Sequence, residues 1–143
     1  FQCEVYPGDP VPEREILSQM AHGDLYNLSA FRMCAHNGTH IDAPYHFYKD
    51  GKTVEAIPVE KFVGMAYVAE HTGILTEEDA RTIIEKAKVA DKRSVKRILI
   101  KGNAVVSVEA ARVFVEHEVS LVGNESQTVI VTVRKGAQSN GWL

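Results

Sequence analysis

Thr76-Glu77-Glu78-Asp79-Ala80-Arg81-Thr82-Ile83-Ile84-Glu85-Lys86-Ala87-Lys88-Val89 is followed, after a short charged connection, by Arg97-Ile98-Leu99-Ile100-Lys101-Gly102, and this pair of segments decides the class of the fold. The Thr76 hydroxyl can cap the first turn of a helix while Asp79 answers it as in a capping box. Ala80, Ile83, Ile84 and Ala87 then recur at helical spacing, so the sequence predicts a helix over Glu77 to Val89 with that stripe in the core. Ile98 to Ile100 is too short and too apolar for a surface element and reads as a buried strand. Ser107 caps a second predicted helix with Ala110, Ala111, Phe114 and Val115 as its buried stripe. Val119 to Gly123 follows as a strand that should run parallel to Ile98–Ile100, since a helix lies between them.

Upstream of this α/β half the signals are mixed. Tyr6-Pro7-Gly8-Asp9-Pro10 reads as a turn after a strand-like opening. Leu28 to Ala35 alternates, with Phe31, Met33 and Ala35 on one face, and reads as a strand. Asp50-Gly51-Lys52 is a turn, and Lys61 to Glu70 is a second strand region. No repeat or low-complexity linker divides residues 1–143, which are expected to form a single domain of ordinary size.

Composition narrows the function. Sixteen Lys and Arg against 19 Asp and Glu give a net charge of -3 with no basic stripe, which argues against a nucleic-acid partner. No apolar run is long enough to span a bilayer, so no membrane partner is expected and a cytoplasmic location is. Cys3 and Cys34 form no Cys-x-x-Cys pair, which fits a reducing compartment.

Half of the six histidines fall in His36-Asn37-Gly38-Thr39-His40-Ile41-Asp42-Ala43-Pro44-Tyr45-His46-Phe47. Imidazole and carboxylate suit zinc and similar divalent ions. Gly38 and Pro44 oppose a helix through the run, so the expected path is a strand delivering His36, a redirecting turn at Asn37-Gly38, and an extended segment with His40 and Asp42 on one side. Two imidazoles and one carboxylate leave coordination positions open, as catalytic rather than structural sites do. His46 follows Asp42 by four residues and would handle protons if the Ala43-Pro44 step turns the chain back. Any one of these histidines alone would read as a polar loop residue. Cys34 reads as a small buried residue, and His22, His71 and His117 as solvated or capping histidines.

The run resembles the H-x-G-T-H-x-D-x-P-x-H signature of the cyclase-like metal-dependent hydrolases of the kynurenine formamidase and isatin hydrolase type. Tyr6-Pro7-Gly8-Asp9-Pro10, Gly51-Lys52-Thr53, Phe62-Val63-Gly64, Arg97 to Gly102 and Gly123 to Val129 resemble further segments of that family. The resemblance implies His36, His40 and Asp42 as metal ligands, His46 as the catalytic residue and Tyr6 on the substrate side. It implies a divalent metal, zinc or alternatively manganese, and a small-molecule amide or formamide substrate opened by metal-activated water, as in the arylformamidase step of tryptophan catabolism to kynurenine. The implied fold is a swivelling β/β/α domain with a mixed, partly barrel-like sheet and helices packed outside, in a homodimer or higher homo-oligomer. Bimetallic members carry a further His and Glu downstream. Residues 130–143 hold no histidine and no acidic residue. After Val129 the sequence therefore departs from the family, and the barrel reads as incomplete at the C-terminus or completed by a partner chain. The competing expectations are a non-catalytic metal- or ligand-binding relative, a fragment lacking part of the active site, and a structural subunit that folds only with another chain.

Overall fold

The computed structural model describes residues 2–127 and 129. The departure expected after Val129 lies outside the described residues. The described residues fall into two compact units that divide between Val54 and Glu55.

The first unit is built on an antiparallel hairpin of β1 (Glu13–Ser18) and β2 (Leu28–Arg32), which pairs Arg14 with Phe31 and Ile16 with Ser29 and carries a bulge between Ile16 and Ser18. A two-stranded hairpin can bury little, and here Ile16, Leu17, Leu28 and Phe31 all stay exposed. The strand-like opening before Tyr6 is absent, and β1, unmarked in the sequence reading, takes its place as the first strand. The predicted Leu28–Ala35 strand stops at Arg32. Residues 34–37 instead close a turn in which the Asn37 N–H donates to the Cys34 carbonyl at 3.1 Å.

In the second unit the chain alternates strand and helix: β3 (Tyr67–Glu70), β4 (Gly73–Leu75), α1 (Glu77–Ala90), β5 (Arg97–Lys101), β6 (Ala104–Val106), α2 (Val108–Glu116) and β7 (Leu121–Asn124). Strands β3, β5 and β7 form a parallel sheet in that order, with Tyr67 opposite Ile98 and Ile98 opposite Val122. Strands β4 and β6 form a separate parallel pair. The expected parallel relation of the strand after α2 to Ile98–Ile100 is thus present. Only Tyr67–Glu70 of the predicted 61–70 strand is extended, because residues 59–61 make a 3-10 turn and Phe62 caps it. Each sheet is purely parallel or purely antiparallel, and among the described residues no sheet closes into a barrel, which corrects the expectation of a mixed, partly barrel-like sheet.

The core lies where α1 and α2 pack together on one face of the strands, around Leu75, Ile84, Ile98, Ile100, Val106, Val113 and Phe114. Each such apolar side chain contributes roughly 1.5–3 kcal/mol through its removal from water. The capping box is formed: Thr76 Oγ1 accepts from the Asp79 N–H at 3.3 Å, and Asp79 Oδ2 accepts from the Thr76 N–H at 2.9 Å. Those bonds hold the Asp79 carboxyl below its ordinary value. Helix α2 buries Ala110, Val113 and Phe114, with Val113 rather than the predicted Val115 on the inner stripe. Along β5 burial alternates, so Ile98 and Ile100 enter the core while Leu99 faces away. The Arg97 guanidinium donates to the carbonyls of Glu60, Lys61 and Met65, tying the 60–65 loop to the start of β5. No helix among the described residues is long and apolar enough to cross a membrane.

Candidate metal centre

All four residues singled out in the 36–47 run lie in the first unit and come together in space. His36 sits at the third position of the Cys34–Asn37 turn rather than on a strand. Gly38 follows with a φ of 71°, a left-handed conformation that glycine adopts at no steric cost and that swings the chain toward His40. Residues 40–43 belong to no helix or strand, and Ala43 (φ -82°, ψ 159°) has the extended backbone that a following proline demands. Pro44 then opens a 3-10 turn, Pro44–His46, in which the His46 N–H donates to the Ala43 carbonyl at 2.9 Å. That turn brings the His46 ring to 4.1 Å from the His36 ring, centroid to centroid.

The predicted triad converges. His36 Nδ1 lies 2.8 Å from Asp42 Oδ1 and 3.1 Å from His40 Nε2, and His40 Nε2 lies 3.3 Å from Asp42 Oδ1. Ligand bonds of 2.0–2.2 Å around a tetrahedral ion set neighbouring donor atoms about 3.3–3.5 Å apart. The observed triangle is this shape, contracted by a few tenths of an ångström. His36, Asp42 and His46 also offer ligand atoms that all lie within 4.8 Å of one another.

Hydrogen bookkeeping points the same way. His40 Nδ1 is 2.8 Å from the Gly38 carbonyl, which can only accept, so Nδ1 carries a hydrogen and Nε2 is the ring nitrogen turned toward the triangle. A backbone carbonyl on the far nitrogen is the usual way a ligating imidazole is oriented. Asp42 Oδ1 and His36 Nδ1 complete the triangle of potential ligand atoms. Such an electron-rich corner fits a cation. The site is open on one side, since the side chains of His36, His40 and Asp42 retain 33%, 23% and 43% of their exposure.

The contacts of several neighbours were not marked by the sequence reading. Asn37 is buried, and its Oδ1 accepts from the Cys34 N–H at 2.9 Å. Cys34 is partly buried, as its reading implied. Its thiol lies 3.7 Å from Asp9 Oδ2 and its sulfur accepts from the His36 N–H at 3.5 Å, which links the Tyr6–Asp9 turn to the His36 turn. Tyr6 itself is 53% exposed beside that link. Gly51 approaches the Pro44–Tyr45 peptide so closely that a Cβ would stand 2.5 Å from the Pro44 carbonyl carbon. The Asp50-Gly51-Lys52 signal was there to be read as a turn, but its contact partner was not. His71 places Nε2 3.2 Å from the Ile74 carbonyl, in keeping with a capping histidine. Glu125 Oε2 accepts from the Gly102 N–H, and Ser126 bonds Asn103, so both serve loop structure in the second unit.

Comparison with known proteins places these observations in a family. The Cyclase family, described as "Putative cyclase", matches residues 2–129. Kynurenine formamidase of Bacillus anthracis is 30% identical over 99 residues, covering 69% of this chain and 45% of the relative. The Bacillus cereus kynurenine formamidase is 37% identical over 65 residues, covering 46% of this chain and 31% of the relative. The matched stretches thus span less than half the length of these curated relatives. The solved structure of a potential metal-dependent hydrolase with cyclase activity superposes with a TM-score of 0.63 at 23% identity, covering 91% of this chain and 68% of that one. With the match running through both compact units and through the whole 36–47 run, the chain belongs to the Cyclase family.

Proposed function

We propose that this chain is the metal-binding part of a hydrolase that cleaves an amide or formamide bond, with an aryl formamide of the kynurenine formamidase type as its substrate. The observation that carries the proposal is the convergence of His36 Nδ1, His40 Nε2 and Asp42 Oδ1 within 3.3 Å, with the His40 ring oriented by the Gly38 carbonyl. The naming of its relatives as kynurenine formamidases supports the substrate class.

His36, His40 and Asp42 would hold the ion, zinc or alternatively manganese, which both accept such a mixed donor set. When bound, such an ion polarises a carbonyl and lowers the pKa of a coordinated water toward neutrality. His46 takes the proton released by the attacking water at a ring nitrogen and returns it to the departing amine, as a general base and then a general acid. Its ring beside His36 and Phe47, held by the Pro44–His46 turn, supports that role. Tyr6, partly exposed in a turn tied through Asp9 to Cys34, lines the substrate side. A second reading makes His46 a fourth ligand, since its ligand atom lies within 4.8 Å of those of His36 and Asp42.

At the scale of the fold, both units form one swivelling β/β/α domain, and the protein works as a cytoplasmic homodimer or higher oligomer. The family match across residues 2–129 supports the single domain. The test is elemental analysis and N-formylkynurenine turnover on four proteins. The unmodified chain should bind one ion and lose turnover on chelation. His40→Ala and Asp42→Asn should lose the ion and turnover together. His46→Ala should keep the ion and lose about 10²–10⁴ in rate, the usual worth of a general acid–base. Loss of the ion in His46→Ala would favour the four-ligand reading, and full turnover in His40→Ala would sink the proposal.

A further inference from the structure

The buried Asn37 side chain stands apart from the four residues of the centre, and nothing in the mechanism above uses it. It is 5% exposed, and its Nδ2 is a buried donor without a hydrogen-bond partner among the described residues. Natural structures rarely leave such a donor unpaired, because a buried polar group without a partner opposes folding. The contact that the side chain does make is at its other end. Oδ1 accepts from the Cys34 N–H at 2.9 Å, while the Asn37 backbone N–H donates to the Cys34 carbonyl at 3.1 Å. The two bonds clasp the ends of one four-residue turn from both sides, and His36 is the residue held between them. The Cys34 sulfur then accepts from the His36 N–H at 3.5 Å, so the backbone of the ligand is fixed to the same clasp.

We infer that Asn37 is a positioning residue for the metal centre, its Oδ1 clasp on Cys34 setting the His36 ring in register with His40 and Asp42. This rests on the reading of the loop as a metal centre. Alanine at 37 keeps the backbone bond and removes the side-chain one, freeing the turn to swing His36 away from Asp42. Aspartate keeps an oxygen where Oδ1 stands and removes the unpaired donor. A change beyond the ligands that loosens one of them costs on the order of 10–100-fold in metal affinity.

The experiment is a zinc competition titration of the full 143-residue chain against a chromophoric chelator, with far-UV circular dichroism on each variant. Asn37→Ala should weaken zinc binding by about tenfold or more and Asn37→Asp by no more than about threefold. Equal affinity in Asn37→Ala and the unmodified chain would overturn the inference. So would an Asn37→Asp protein that is folded and binds zinc about tenfold or more weakly than the unmodified chain, a result that needs no folded alanine variant. The His36 ring signals in a long-range ¹H–¹⁵N spectrum of the metal-free chain separate this inference from the metal reading. If the unmodified chain binds no zinc, the metal reading fails, and a His36 signal moved by Asn37→Ala but not by Asn37→Asp still supports the clasp. A signal unmoved in both variants overturns it.

Discussion

Gly51 illustrates how a residue with no chemistry of its own can hold His46, the proposed proton carrier, in place. Its backbone lies against the Pro44–Tyr45 peptide, where the Tyr45 N–H donates to the Lys52 carbonyl at 3.1 Å, and this closure carries the turn that ends at His46. A methyl at position 51 must push that backbone away, since it would meet main-chain atoms rather than a flexible side chain. Misplacing a catalytic group by about 1 Å costs on the order of 10² in rate. Gly51→Ala is therefore expected to lose roughly that factor in kcat/KM while retaining the ion on His36, His40 and Asp42; unchanged turnover would count against His46 as the proton carrier. The site was legible in the sequence to the extent that its chemistry resides in residue type at short spacing, as with His36, His40, Asp42 and His46. Asn37 and Gly51 escaped because their roles depend on which backbone passes beside them, and no periodicity encodes that.

At the level of elements, the helices were legible because their start signals are local. Thr76 with Asp79 and Ser107 with the Ala110 N–H are caps written within four residues, and both are formed. The short strands β4 and β6 escaped the reading because three residues carry no period, and their pairing with each other is set by tertiary contact. Helix α2 ends in a way the sequence conceals: Glu118 adopts a φ of 54°, and the Val119 N–H reaches back to the Phe114 carbonyl at 2.9 Å. This is the glycine position of a Schellman motif filled by a glutamate. Its carboxylate pairs with Lys96 at 2.7 Å, which holds it below the ordinary Glu range, but an exposed ion pair contributes little to stability. Glu118→Gly should relieve the left-handed strain and stabilise the second unit by roughly 0.5–1 kcal/mol in urea unfolding, despite losing the pair. A destabilised variant would show that the Lys96 contact outweighs backbone strain here.

Over the whole molecule, burial is unevenly shared. The apolar core consists of residues from Ala69 to Phe114, all in the second unit, whereas the first unit leaves Phe31, Leu25 and Phe47 exposed. Slow amide exchange tracks such buried, well-bonded regions. Hydrogen exchange by mass spectrometry should find its most protected amides in β3, β5, α1 and α2, with the β1–β2 hairpin exchanging faster; equal protection in the hairpin would show that something covers it. The α/β class was readable because it follows from local helix and strand signals in residues 76–123. The partly barrel-like sheet expected from the resemblance is not formed among the described residues, since closure depends on long-range pairing that no stretch of sequence declares. The compactness of the 36–46 loop has a kinetic side. Its four polar groups span only ten peptide links, so the chain entropy lost in bringing them together grows from a very short closure. Loops of that length close in about 10–100 ns, far faster than distant strands can pair. The four side chains of the candidate centre are therefore brought together locally, with no need for any strand to pair first.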